Sequence, residues 1–116
     1  MRIATWNINS VRLRIHHVLR FIKEQNIDVL CLQETKTPDE FFPKDELEKY
    51  GFKNQYFRGE KSYNGVAIIS KFEFTDQGYI NWCKKDDTRH IYVKINNVEL
   101  HNFYVPAGGD EPDISI

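Results

Sequence analysis

The run "DVLCLQETK", residues 28–36, places an ionisable group where an apolar segment ends: Glu34 follows "VLCLQ", which has the composition of a strand buried on both faces. A carboxylate delivered there loses hydration unless a cation or a hydrogen-bond donor replaces it. Asn7 and Asn9, in "TWNINS", stand at the end of an earlier β-prone run. If the two runs are neighbouring parallel strands, their carboxyl ends share one rim, where sheets of this kind collect ligand-binding groups. An amide and a carboxylate then converge, with Lys36 beside them. Glutamate supplies hard oxygen ligands suited to Mg2+, which takes one or two carboxylates and completes its octahedron with water and phosphate oxygens. Asparagine hydrogen-bonds a carboxylate or a phosphate without adding charge. The same spacing also admits a plainer outcome, in which Glu34 pairs with Lys36 or caps a neighbouring amide.

Two further stretches carry polar chemistry. In "HNFYVPAGG", residues 101–109, Tyr104 falls near the end of a β-prone segment, and residues 106–109 form a breaker-rich loop whose backbone N–H groups can face an anion. The tyrosine hydroxyl can donate to a phosphate oxygen or steer a water, or it can belong to an ordinary core aromatic. In "RGEKSYNG", residues 58–65, Arg58, Lys61 and Tyr63 interleave cationic and aromatic groups on a hairpin, a composition that grips a phosphate backbone or forms a solvated turn.

These residues need elements to position them. "RIATWNI" is a short strand, and Ser10 is placed to cap the helix that follows. Val11, Ile15, Val18, Leu19 and Ile22 recur at three- to four-residue spacing, which predicts an amphipathic helix reaching Asn26. Strand, helix and strand in this order imply a parallel pair joined by a right-handed crossover. "PKDELEKYG" predicts a short helix, with proline at its start and Gly51 past its end. "FKNQYF", "GVAIIS", "HIYVKI" and "VELHNFYV" are short strands separated by turn signals at Asn64-Gly65 and Asn96-Asn97, which suggests antiparallel neighbours. The fold class is α/β, a mixed β-sheet with flanking helices.

The chain of 116 residues, 41% hydrophobic, is long enough for one domain with a core. A net charge of -1 provides no global positive field, so a polyanion must be held by a local cluster or through a metal. Cys31 and Cys83 make no disulfide framework and no paired metal spacing, as expected in a reducing compartment. No window approaches a membrane span and the N-terminus has no sustained apolar core, so the expectation is a soluble, cytoplasmic protein with no membrane partner.

"TWNINSVR", "DVLCLQETK", "YNGVAIIS" and "HNFYVPAGG" occur in an order and register that resembles the exodeoxyribonuclease III and AP endonuclease family of DNA repair nucleases, within the endonuclease/exonuclease/phosphatase superfamily. The resemblance runs the length of the chain and is most specific where "WNIN" is followed by "LQETK". It implies a four-layer α/β sandwich, of which this chain carries about half, roughly the first of its two sheets. It implies Mg2+-dependent (or Mn2+-dependent) phosphodiester hydrolysis in duplex DNA: incision 5' to abasic sites and 3'-5' removal of nucleotides or blocking groups from 3' ends. By resemblance Glu34 is the metal-binding glutamate and Asn7 supports the metal and phosphate beside it. Tyr104 is the tyrosine whose hydroxyl meets the scissile phosphate, Arg12 and Tyr63 touch the DNA backbone, and Asn9 has a lesser supporting role. Ser10 stands where many relatives have glycine, and Asn64 departs from the small residue or histidine expected there.

The resemblance covers only an N-terminal portion. The later "GDxN" and "SDH" motifs, which supply the catalytic base, a DNA-interacting asparagine and the histidine with its aspartate, are not in this sequence. Asp86-Asp87, Asp110-Glu111 and the histidines His16, His17, His90 and His101 reproduce neither motif. Residues 1–116 are therefore expected to be the N-terminal portion of a truncated or split domain, with poor activity by itself and a separate C-terminal half as partner. Two other readings stand beside this one: a phosphatase or phosphodiesterase of the same superfamily, and a non-catalytic remnant that binds DNA or a partner.

Overall fold

The alternation of side chains along two central strands builds the molecule. In the computed structural model, which describes residues 1–80 and 88–105, β2 (Val29–Gln33) and β4 (Tyr63–Ser70) are buried on both faces. Leu30, Leu32, Ala67 and Ile69 point one way, into a core shared with Ile8, Val11, Val18, Ile22, Leu47 and Phe52. Val29, Cys31, Val66 and Ile68 point the other way, against Ile91, Val93 and Ile95. Period-two alternation thus feeds two cores from the same strands, and each fully buried Val, Leu or Ile contributes about 1.5–3 kcal/mol.

The first sheet has the order β1-β2-β4-β3. β1 (Ile3–Asn7) pairs parallel with β2, as the strand–helix–strand pattern predicts, and β4 pairs antiparallel with both β2 and β3 (Asn54–Glu60). α1 (Ile15–Glu24) connects β1 to β2 and buries Val18 and Ile22. α2 (Lys44–Lys49) begins after Pro43 and buries Leu47. Gly51, just past its end, takes φ +96, the left-handed conformation that ends a helix without a Cβ penalty.

The second sheet changes the expectation drawn from sequence. β5 (Asp76–Gly78), β6 (His90–Ile95) and β7 (Val98–Phe103) form a separate three-stranded antiparallel sheet, which covers the face of the first sheet opposite the helices. The chain therefore carries two packed sheets with helices on one side, three layers, instead of one sheet with a bare apolar face. Period-two patterning marks a strand as half-buried but says nothing about which sheet it joins. β5 was not foreseen. The outer strands β1 and β7 leave their edges on the same flank, where Ile3, Thr5, Gln33, Leu100 and Phe103 line a cleft of about 430 Å3.

Turns and caps follow the local residue signals at some positions and depart from them at others. Asn96-Asn97 is a two-residue hairpin, with Ile95 paired to Val98 and Asn96 at φ +54. Asn64-Gly65 is not the turn of the first hairpin. β3 and β4 turn at residues 61–62, and Asn64 and Gly65 lie inside β4 with left-handed φ. Ser10 does not cap α1, which begins at Ile15 with no side-chain cap. The N–H groups of Ser10 and Val11 are spent on Glu34 and Thr35 carbonyls, so the helix starts one turn later. No helix among the described residues is long and apolar enough to cross a membrane.

Candidate active site

The backbone brings the expected residues to one rim. The parallel ladder of β1 and β2 continues past its strands: Ile8 N–H donates to Gln33 C=O, Ser10 to Glu34 and Val11 to Thr35, at 3.0, 2.8 and 3.1 Å. The start of β4 closes the other side, with Thr35 N–H on Gly65 C=O at 3.2 Å and Lys36 N–H on Asn64 C=O at 2.9 Å. Within this mesh Asn9, Ser10, Glu34, Lys36 and Asn64 hold φ of +48, +84, +54, +52 and +47. Each such non-glycine residue costs of order 1–3 kcal/mol and persists only where its surroundings over-determine it. The hydrogen bonds on both flanks of residues 34–36 do so here, and they turn Glu34 away from the strand direction.

The side chains meet on that frame. Tyr104 Oη donates to Glu34 Oε1 at 3.3 Å, Lys36 Nζ lies 3.7 Å from the same oxygen, and Lys36 Nζ donates to Asn9 Oδ1 at 2.6 Å. The Tyr104 backbone N–H is fixed on Arg89 C=O at 2.8 Å. Burial, then the negative charge and hydrogen bond of Glu34, raise the Tyr104 hydroxyl above the usual phenol range, so it remains a donor at neutral pH. Asn7 sits opposite Gln33 in the ladder, one residue before Glu34, and shares its strand face with Thr5. The Glu34–Lys36 pairing that spacing allowed is thus present, in a wider assembly reaching across both sheets. Glu34 is partly exposed, 22% by side chain, and both contacts use Oε1.

Arg12 and Tyr63 are not brought into this cluster. Arg12 lies over the Phe41 ring at 5.1 Å, lining a cleft of about 530 Å3 with Lys44 and Phe57. Tyr63 is 70% exposed at the start of β4. Arg58, for which the sequence offered a phosphate contact or a solvated turn, does neither and is buried between the sheets. Its Nη1 donates to His90 C=O at 3.3 Å and its guanidinium lies 3.4 Å from the Tyr79 ring centre. Its position on β3 aims it inward, on the same side as Tyr56. Residues 106–109, Cys83, Asp86-Asp87 and Asp110-Glu111 lie outside the described residues.

Sequence reasoning missed Asn102 and Gln33, two polar residues behind the cluster. Asn102, 3% exposed, donates to the carbonyls of Leu32 and Ala67, both at 2.9 Å, and accepts from Gln33 Nε2 at 2.7 Å. The signal was available: Asn102 occupies an inward position two residues before Tyr104.

The donor chemistry fits a hard divalent cation: a partly exposed carboxylate whose Oε2 has no partner among the described residues, and the amide oxygen of Asn7 on the neighbouring strand. The set is sparse. Among the described residues no three His, Cys, Asp or Glu group together as a metal cluster.

Comparison with known proteins identifies the family. Residues 4–113 match the Endonuclease/Exonuclease/phosphatase family profile. The chain is 30% identical to an exodeoxyribonuclease of Bacillus subtilis over 110 residues, 91% of this chain and 43% of that protein. It superposes on an AP endonuclease from Archaeoglobus fulgidus with a TM-score of 0.84 at 41% identity, covering 91% of this chain and 42% of the other. A Neisseria 3' phosphatase, NExo, bound to product DNA hairpin gives a TM-score of 0.84 at 32% identity, covering 90% and 41%. The chain thus spans about two fifths of the length of these relatives. With a matching profile over residues 4–113 and a superposition covering 91% of its length, the chain belongs to the endonuclease/exonuclease/phosphatase family.

Proposed function

We propose that residues 1–116 form the N-terminal portion of a divalent-metal-dependent hydrolase of DNA phosphodiesters. By this reading it incises duplex DNA 5' to abasic sites and trims 3' ends. The observation that carries the reading is the convergence of Glu34, Tyr104 and Lys36 from both sheets on one exposed rim. Glu34 and Asn7 would hold Mg2+ or Mn2+, which supplies charge neutralisation and leaving-group assistance to an anionic phosphodiester. Tyr104, kept protonated, donates to a phosphate oxygen, and Lys36 adds positive charge beside it. Arg12 and Tyr63, exposed apart from this cluster, are assigned to the DNA backbone on either side.

The reading also makes the site incomplete. No described residue stands at the rim as a base for the attacking water, and the chain spans about two fifths of its relatives. The open edges of β1 and β7 are assigned to a C-terminal half, in the same or a separate polypeptide. The buried, unpaired Cys31 suits a reducing, cytoplasmic setting.

The test is incision of abasic duplex DNA with Mg2+, by the chain alone and with the C-terminal half of the Archaeoglobus relative supplied in trans. Turnover only in the mixture, lost in Glu34→Gln, is expected. Turnover by the chain alone that survives Glu34→Gln refutes the assignment. A second reading is favoured by the Neisseria phosphatase: removal of a 3' phosphate from a DNA end. Release of phosphate from that substrate, without abasic incision, supports it, and hydrolysis of inositol phosphates points to the phosphatase branch. Salt-dependent DNA binding without any turnover supports a non-catalytic remnant.

A further inference from the structure

The two sheets meet mainly through Val, Ile and Leu side chains, and apolar contact is non-directional. It holds the layers together without fixing how far one strand slides past another. The Glu34–Tyr104 pair spans this interface, with Glu34 just past β2 and Tyr104 just past β7. Its geometry depends on that slide.

β7 is unusual in what it buries. Of its six residues only Asn102 is fully buried, so the strand's inward anchor is an amide in place of an aliphatic group. Every hydrogen-bonding group of that amide is engaged. The two Nδ2 protons go to the carbonyls of Leu32 and Ala67, register partners on β2 and β4, and Oδ1 accepts from Gln33, which also donates to Thr5 on β1. One side chain thus ties β7 to two strands of the other sheet, β2 and β4, and through Gln33 to a third, β1. This set of partners also fixes the amide's orientation, since flipping it would face oxygen to two carbonyls. The offsets match: Asn102 is two residues before Tyr104, and Leu32 is two residues before Glu34. Fixing Asn102 on the Leu32 carbonyl therefore anchors β7 to β2 one two-residue repeat, about 7 Å of strand, before the place where Tyr104 meets Glu34. Other directional ties also cross between the layers: Arg58 Nη1 to His90 C=O at 3.3 Å, away from the rim, and Gly65 N–H to Thr88 C=O at 3.1 Å, which joins β4 to the entry of β6 and leaves β7 to Asn102.

We infer that Asn102, with Gln33 behind it, is a positioning residue that sets the register of β7 on β2 and thereby the contact between Tyr104 and Glu34. The inference rests on the proposed role of those two residues but is read without any turnover. The readout is the ring chemical shift of Tyr104 at fixed neutral pH, followed by NMR of ring-labelled tyrosine and assigned with Tyr104→Phe. In the unsubstituted chain, Glu34→Gln alters the hydrogen bond to the Tyr104 hydroxyl and moves the ring shift. In Asn102→Leu or Asn102→Asp, shown to be folded by circular dichroism, the same Glu34→Gln change is expected to leave the ring shift where it is. An equal response in both backgrounds overturns the inference. If both Asn102 variants unfold, exchange of the Asn102 side-chain amide protons decides: exchange as slow as the β4 backbone supports the clamp, and fast exchange overturns it. Mn2+ titration of the unsubstituted chain against Glu34→Gln separately tests the metal reading, so a failed metal site and a failed clamp give different results.

Discussion

Gly65→Ala tests whether the mesh behind Glu34 is as tight as its hydrogen bonds imply. A Cβ at residue 65 would lie 2.0 Å from Thr35 Oγ1, 3.3 Å from Thr35 Cβ and 3.2 Å from Lys36 N. Thr35 is 1% exposed and held by its N–H on Gly65 C=O, so it has nowhere to swing. Two costs add. A non-glycine residue at φ +94 pays about 1–2 kcal/mol, and forced overpacking of a buried contact about 1–3 kcal/mol. The sum, about 2–5 kcal/mol, is a large share of the roughly 5–15 kcal/mol by which small domains are stable. For a chain of this size it corresponds to a fall in melting temperature of roughly 10–25 °C. Thermal unfolding followed by circular dichroism measures it. Adding Thr35→Ala removes the closest atom and recovers the overpacking share, while the φ share remains. A Gly65→Ala melting point within about 3 °C of the unsubstituted chain, or a double variant no more stable than the two single effects summed, refutes the reasoning.

Ser10 at φ +84 occupies a glycine conformation, so Ser10→Gly should raise stability by about 0.5–1 kcal/mol, the strain relieved less the entropy glycine loses on folding, measured by urea unfolding. Buried His90 accepts the Ile80 N–H on Nδ1 at 2.9 Å and donates from Nε2 to His101, which hands on to Glu99. Burial, then the charges of His101 and Arg58, lower its proton affinity below the usual 6.5. Its stabilising contribution is therefore present above that value and lost as pH falls through the lower folded value. Melting temperature should drop between pH 7 and 5, and the drop should shrink in His90→Gln. Burial pushes the Cys31 thiol up to about 12, so alkylation at pH 8 should track global unfolding. Fast labelling of folded Cys31 would contradict its placement between the sheets.

Much of the molecule was legible in its residues. β2 was identified because an apolar run too short for a helix must be a strand covered on both sides, and its exit at Glu34 marked the rim. β6 and the Asn96-Asn97 hairpin were identified from β-branched content and turn chemistry. Asn7, Glu34 and Tyr104 were named from local chemistry joined to a family resemblance. What local pattern misread was where backbone groups would be spent. Ser10 became a left-handed link in the ladder instead of a helix cap, and Asn64-Gly65 became a distortion inside β4 instead of a turn.

Only the tertiary structure decided which strands form which sheet, and that decision makes the candidate site. Glu34 and Tyr104 are 70 residues apart, and no periodicity along the chain states their contact. The same holds for Arg58, whose charge suggested a DNA contact until the second sheet was laid over it, and for Asn102, whose amide takes on its role only once two carbonyls of another sheet face it. The physical reason is that side-chain alternation is a local property of one strand. The partner across a sheet interface is chosen by packing and hydrogen bonding between segments far apart in sequence.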